Sequence, residues 1–136
     1  MADIHIEDFY KDCARILLQL YMAFPRRSSV FVEDIAGPDT PDEFGLHSKR
    51  HMACLGAMLW LADEGLLRYE STISQDAIDQ AVLTEAGFLA LIRLLPAEEH
   101  DLESPPQTAA HRVRDTLQKG TSTQVARVVH RMLFPH

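Results

Sequence analysis

The chain has 136 residues, with 13 Lys and Arg against 20 Asp and Glu, a formal net charge of −7 and 46% hydrophobic side chains. That length fits one domain able to bury about two-thirds of the surface its unfolded chain exposes, which excludes disorder as the overall state. The acidic sum argues against the usual basic nucleic-acid binder, whose affinity comes from Lys and Arg displacing counterions at phosphates.

The charge is unevenly spread. Residues 1 to 105 hold 8 basic and 19 acidic side chains, a net of −11, whereas residues 106 to 136 hold Arg112, Arg114, Lys119, Arg127 and Arg131 against Asp115, a net of +4. No stretch approaches the ~18 uninterrupted apolar residues of a membrane span, and the opening MADIHIEDFYKD lacks the cationic start and apolar run of a signal peptide. A cytoplasmic protein without membrane contact is expected. Cys13 and Cys54 each lie inside an apolar helical pattern and are expected as buried free thiols.

Phe9, Cys13, Ile16, Leu17, Leu20, Tyr21 and Phe24 recur at spacings of three and four, which predicts an amphipathic helix from Ile6 to Phe24, stopped by Pro25. Asp8 and Asp12, four apart, are expected on its exposed acidic face. Val30-Phe31-Val32 suits a short strand, and Glu33-Asp34-Ile35-Ala36 a brief helix ended by Gly37-Pro38. After the acidic loop 37 to 47, Ser48 is a candidate N-cap for a third helix to about Glu64, with Gly65 in the left-handed position that closes it.

Leu66 to Ile73 and Ala77 to Leu83 read as two strands around the turn Ser74-Gln75-Asp76. Thr84 can cap a further helix burying Phe88, Leu91, Ile92 and Leu95. Residues 96 to 106, acidic and Pro-rich, read as a linker. Beyond it, Ala110, Val113 and Leu117 mark a helix closed by Gly120, and Thr121-x-x-Gln124 is a capping box for a last one. The expected class is therefore mainly α with a small β-hairpin: a domain over 1 to 95, the linker 96 to 106, and a C-terminal helical hairpin over 107 to 136 that packs on the domain or on a partner subunit.

The order helix, short strand, short helix, long helix, hairpin, helix resembles the winged helix-turn-helix superfamily, as found in small bacterial regulators of the MarR and PadR types. The residues that carry the resemblance are Val32 to Ala36, Trp60 to Leu67, and Leu83-Thr84-x-x-Gly87. It covers about residues 6 to 95. It implies a DNA-binding transcriptional regulator whose third helix enters the major groove, with Ser48, Lys49, Arg50 and His51 at base edges and Arg68, Arg26 and Arg27 on phosphates.

Three features depart from that pattern and favour a second reading, a winged-helix scaffold used for protein interaction or dimerisation without DNA. Residues 52 to 62, MACLGAMLWLA, are apolar nearly all round the helix. The wing turn carries Asp76 and Asp79 and no cation, and the loop before the third helix holds Asp39, Asp42 and Glu43.

A homodimer is expected from this excess of apolar surface, with Trp60, Val125, Val129, Met132 and Leu133 at its contacts. The C-terminal cations read by default as a solvated face, and a complement to the acidic body is favoured over a phosphate-binding strip. His47-x3-His51-x2-Cys54 has a spacing compatible with zinc, but with no fourth ligand nearby in sequence no metal and no cofactor is expected. Without a phosphate loop, a nucleophile elbow or a distinct carboxylate pair, no enzymatic activity is expected either.

Overall fold

The computed structural model describes residues 3–96 and 105–135. Its first helix, α1 (Ile4–Ala23), buries Cys13, Ala14, Ile16, Leu17 and Leu20, and seven other elements pack around it. Phe24 follows the helix and stacks on Phe88, ring centroids 4.6 Å apart. The chain then forms β1 (Ser28–Phe31), α2 (Val32–Ala36) and α3 (Lys49–Asp63). Ser48 caps α3 as its sequence predicts, its hydroxyl accepting the His51 N–H at 3.1 Å, and Gly65 follows with φ +79°.

The sheet is antiparallel and built on β4 (Ala77–Leu83). On one edge lies β1; on the other lie β2 (Leu67–Arg68) and β3 (Ser71–Ile73). The single strand expected from Leu66 to Ile73 is thus divided at Tyr69-Glu70. Opposite that break, Gln80 takes a left-handed backbone (φ +54°), and the β1 register slips between Ser28 and Val30. A bulge in the central strand accounts for both, because the extra residue bends β4 away from straight pairing.

Thr84 caps α4 (Glu85–Ile92), accepting the Gly87 N–H at 3.1 Å. The helix buries Gly87, Ala90 and Leu91; Ile92 is exposed, and Leu95, expected on the helix, lies beyond it. There β5 (Leu94–Leu95) pairs with β6 (Gln107–Thr108), so the segment read as a linker starts and returns at one place. Most of that segment, 97 to 104, lies outside the described residues.

The chain ends in α5 (Ala109–Lys119) and α6 (Ser122–Leu133), the latter opened by the capping box at Thr121 and Gln124. Val125, Val129 and Met132, expected at a dimer contact, are fully buried within the chain, and Leu133 packs against the same core. The reason is local: α5 and α6 pack on α1 and on each other. Trp60 is also engaged internally, edge-on to Phe9 at 5.2 Å and near Phe134 at 6.4 Å. The fold is mainly helical with a small antiparallel sheet, and one core runs through the body and the C-terminal hairpin. No helix among the described residues is long and apolar enough to cross a membrane.

Two glycines differ sharply in surroundings. A Cβ on Gly87 would lie 1.9 Å from the Leu66 carbonyl oxygen, itself bonded to the Thr84 N–H, whereas one on Gly56 meets nothing within 4 Å. Gly87→Ala is expected to destabilise the fold by about 2 kcal/mol by overpacking, and Gly56→Ala to stabilise it by about 1 kcal/mol through helix propensity. Urea unfolding of the two variants measures both signs.

Candidate functional site

The start of α3 gathers most of the residues with functional chemistry, but not as a row of free cations. Lys49 is exposed, as are Arg26 and Arg68. Arg27 is tied to Glu70, Nη1 to Oε1 at 2.6 Å. Ser48 accepts at the cap with its hydroxyl oxygen and gives its hydroxyl hydrogen to Asp39.

Arg50 turns inward and makes a bidentate pair with Asp12 of α1, Nη1 to Oδ2 at 2.8 Å and Nη2 to Oδ1 closer still, with Asp8 3.8 Å from Nε. Asp12 is 1% exposed, which corrects its expected place on an open acidic face. A carboxylate buried to that degree needs a cation within hydrogen-bonding reach, and Arg50 supplies both donors in matching geometry. Its hydrogen bond to Asp12 raises the Arg50 pKa further above its ordinary value. Arg50 is therefore not available to a base edge.

His51, also assigned to the groove, is 2% exposed. Its ring stacks on that of His47, with centroids 3.7 Å apart and planes within 6°. Its Nε2 lies 2.8 Å from the Gln75 carbonyl oxygen in the hairpin turn, which makes Nε2 the protonated nitrogen. His51 Nδ1 is left buried with no hydrogen-bond partner, 3.9 Å from Asp39 Oδ2.

His47 faces carboxylates at both nitrogens: Nδ1 is 2.9 Å from Asp39 Oδ2 and Nε2 is 3.2 Å from Asp76 Oδ1. The Ser48 side chain, the His47 ring and the Ser48 N–H hold the Asp39 carboxyl down at about 2. Sequence spacing suggested His47, His51 and Cys54 together. The structure separates Cys54, which lies in the core, and brings Asp39 to the two rings instead.

Along the outer side of α3, Lys49 is followed by Met52, Ala53 and Gly56, all exposed and, beyond Lys49, without a hydrogen-bonding side chain. Three of the C-terminal cations have their surroundings defined among the described residues. Lys119 pairs with Asp115 of its own helix at 3.3 Å, Arg114 reaches Met22 Sδ, and Arg112 Nε and Nη2 have no partner among the described residues. No known family model matches this chain, and neither a curated protein nor a solved structure does.

Arg50→Ala strands the Asp12 charge in the core, and a loss of about 3 kcal/mol is expected, at the low end for a broken buried pair because Arg50 itself keeps some contact with water. A urea midpoint unchanged from wild type would contradict this.

Burial pushes the Cys13 thiol up strongly and Cys54 up to about 12. A raised folded pKa contributes stability that is complete below the ordinary thiol value of 9.0 and is lost as pH rises from there toward about 12. The folded protein is expected to resist thiol-specific reagents at pH 8, and its unfolding midpoint to fall from pH 9 upward. Replacing both cysteines by Ala should flatten that alkaline slope.

Proposed function

We propose that the chain is a winged-helix domain that uses its third helix to meet a protein partner, and that it does not read DNA sequence. The element order supports the winged-helix reading: α1, β1, α2 and α3 precede a hairpin whose return strand, β4, takes β1 on its far edge. The observation that carries the functional reading is the outward side of α3. A recognition helix needs donors and acceptors for base edges, and this one offers Met52, Ala53 and Gly56 past Lys49. Of the other two cationic or polar groups at its start, Arg50 is held by Asp12 and His51 is buried.

The preferred partner is a second copy of the chain. Because α5 and α6 spend their apolar stripes internally, the dimer contact on this reading moves from the terminal helices to the exposed side of α3.

The competing reading, a DNA-binding transcriptional regulator, rests on the exposed cations Lys49, Arg26 and Arg68. Titration into labelled duplex at low and moderate salt separates the two. The protein-interaction reading expects no binding even at low salt, and light scattering at tens of micromolar expects a dimer that Met52→Glu dissociates. Salt-sensitive duplex binding weakened by Lys49→Ala overturns it in favour of the regulator, and a monomer overturns the homodimer.

A further inference from the structure

Asp39, His47 and His51 come from the loop before α3 and from the first turns of α3, and the hairpin turn closes over them. One candidate ligand atom from each lies within 4.8 Å of the others. Proximity alone would describe a hydrogen-bonded cluster. Two further features do not fit that description.

The first is the orphaned His51 Nδ1. His51 donates Nε2–H to the Gln75 carbonyl, so the neutral ring has its lone pair on Nδ1, which is buried without a hydrogen-bond partner. It faces a carboxylate oxygen, which is also an acceptor, at 3.9 Å. Two acceptors turned toward each other inside a protein repel unless something positive lies between them, and an unpaired buried acceptor carries its full desolvation penalty. The 3.9 Å separation is too long for a hydrogen bond and stands about 0.5 Å beyond the ~3.4 Å between two donors on a tetrahedral zinc ion.

The second feature is the outer layer. Ligating histidines almost always give their other ring nitrogen to a carbonyl or carboxylate, which fixes the tautomer and the ring orientation. Here His51 Nε2 is set by Gln75 and His47 Nε2 by Asp76, while both Nδ1 atoms turn to Asp39 Oδ2. Asp39 is itself oriented by the Ser48 N–H at 3.1 Å.

We infer that His47 Nδ1, His51 Nδ1 and Asp39 form a binding site for a divalent transition-metal ion of the zinc type. Two imidazoles select against magnesium and calcium, which prefer all-oxygen sites. The ion takes the place of the proton between His47 and Asp39, so loading releases a proton at that edge. The half-buried His47 ring turns out of its stack to aim its lone pair, while the buried His51 stays fixed. Three protein donors leave a coordination position for water or an incoming group. Because the donors join the loop before α3 to α3 itself, and their supports include the hairpin turn, the ion ties these three segments together.

The test uses the full chain, stripped of metal and titrated with zinc against a chromophoric competitor, with long-range proton–nitrogen spectra of the imidazoles recorded alongside. One zinc per chain is expected, with the Nδ1 resonances of His47 and His51 moving. Asp39→Asn and His47→Ala should each weaken binding at least tenfold while circular dichroism stays unchanged; neither removes the Gln75 carbonyl that holds His51 Nε2. Absence of stoichiometric zinc, affinity indifferent to both substitutions, or movement confined to the rings of His5, His111 and His130 overturns the site.

Discussion

A single carboxylate sets the terms for the rest of the molecule. Asp12 sits on the helix around which α3, α5, α6 and the sheet are arranged, and it is enclosed almost completely. An ionised group there is tolerable only with a cation held in bidentate register, so α3 must present Arg50 at one height and one rotation relative to α1. Apolar packing between two helices tolerates sliding by fractions of a turn; a two-point charged contact does not. Once α3 is set in this way, the loop before it, the cap at Ser48 and the stacked histidines take their positions from it.

Acidity, which first reads as an objection to nucleic-acid binding, turns out to be organised chemistry. Asp42 accepts the Phe44 and Leu46 N–H groups and shapes the loop before α3. Asp79 accepts the Ser29 hydroxyl across the bulged edge, Glu70 holds Arg27, and Asp39 and Asp76 flank His47. Carboxylates serve here as short, rigid acceptors for loops and turns that lack backbone partners of their own.

Local signals made the elements legible and long-range pairing hid the site. The stripe on α1, the caps at Ser48, Thr84 and Thr121, and the breaks at Pro25 and Gly65 are written in neighbouring residues, and the helices begin and end within a few positions of where those signals place them. Asp12 has the same spacing from Asp8 as any pair on a solvated face, and nothing nearby indicates that its partner lies 38 residues away. His47 and His51 could be seen as a pair from their spacing, but Asp39 and Asp76 join them only through tertiary folding. The division of the strand expected from Leu66 to Ile73 follows from a left-handed Gln80, a conformation that no sequence rule assigns to glutamine. The apolar stripe of α6 was readable; which surface it covers was not, because a stripe specifies burial without naming the burying partner.

The two-residue pairing of β5 with β6 has an evolutionary corollary. Leu95 pairs with Gln107, and the backbone bonds there hold the two ends of the connection together. For a connection anchored in this way, doubling its length adds only about 0.6 kcal/mol of closure entropy. Lineages can therefore lengthen, shorten or exchange that excursion while α5 and α6 stay docked. Between these two strands, sequence can drift or acquire new content at small thermodynamic expense.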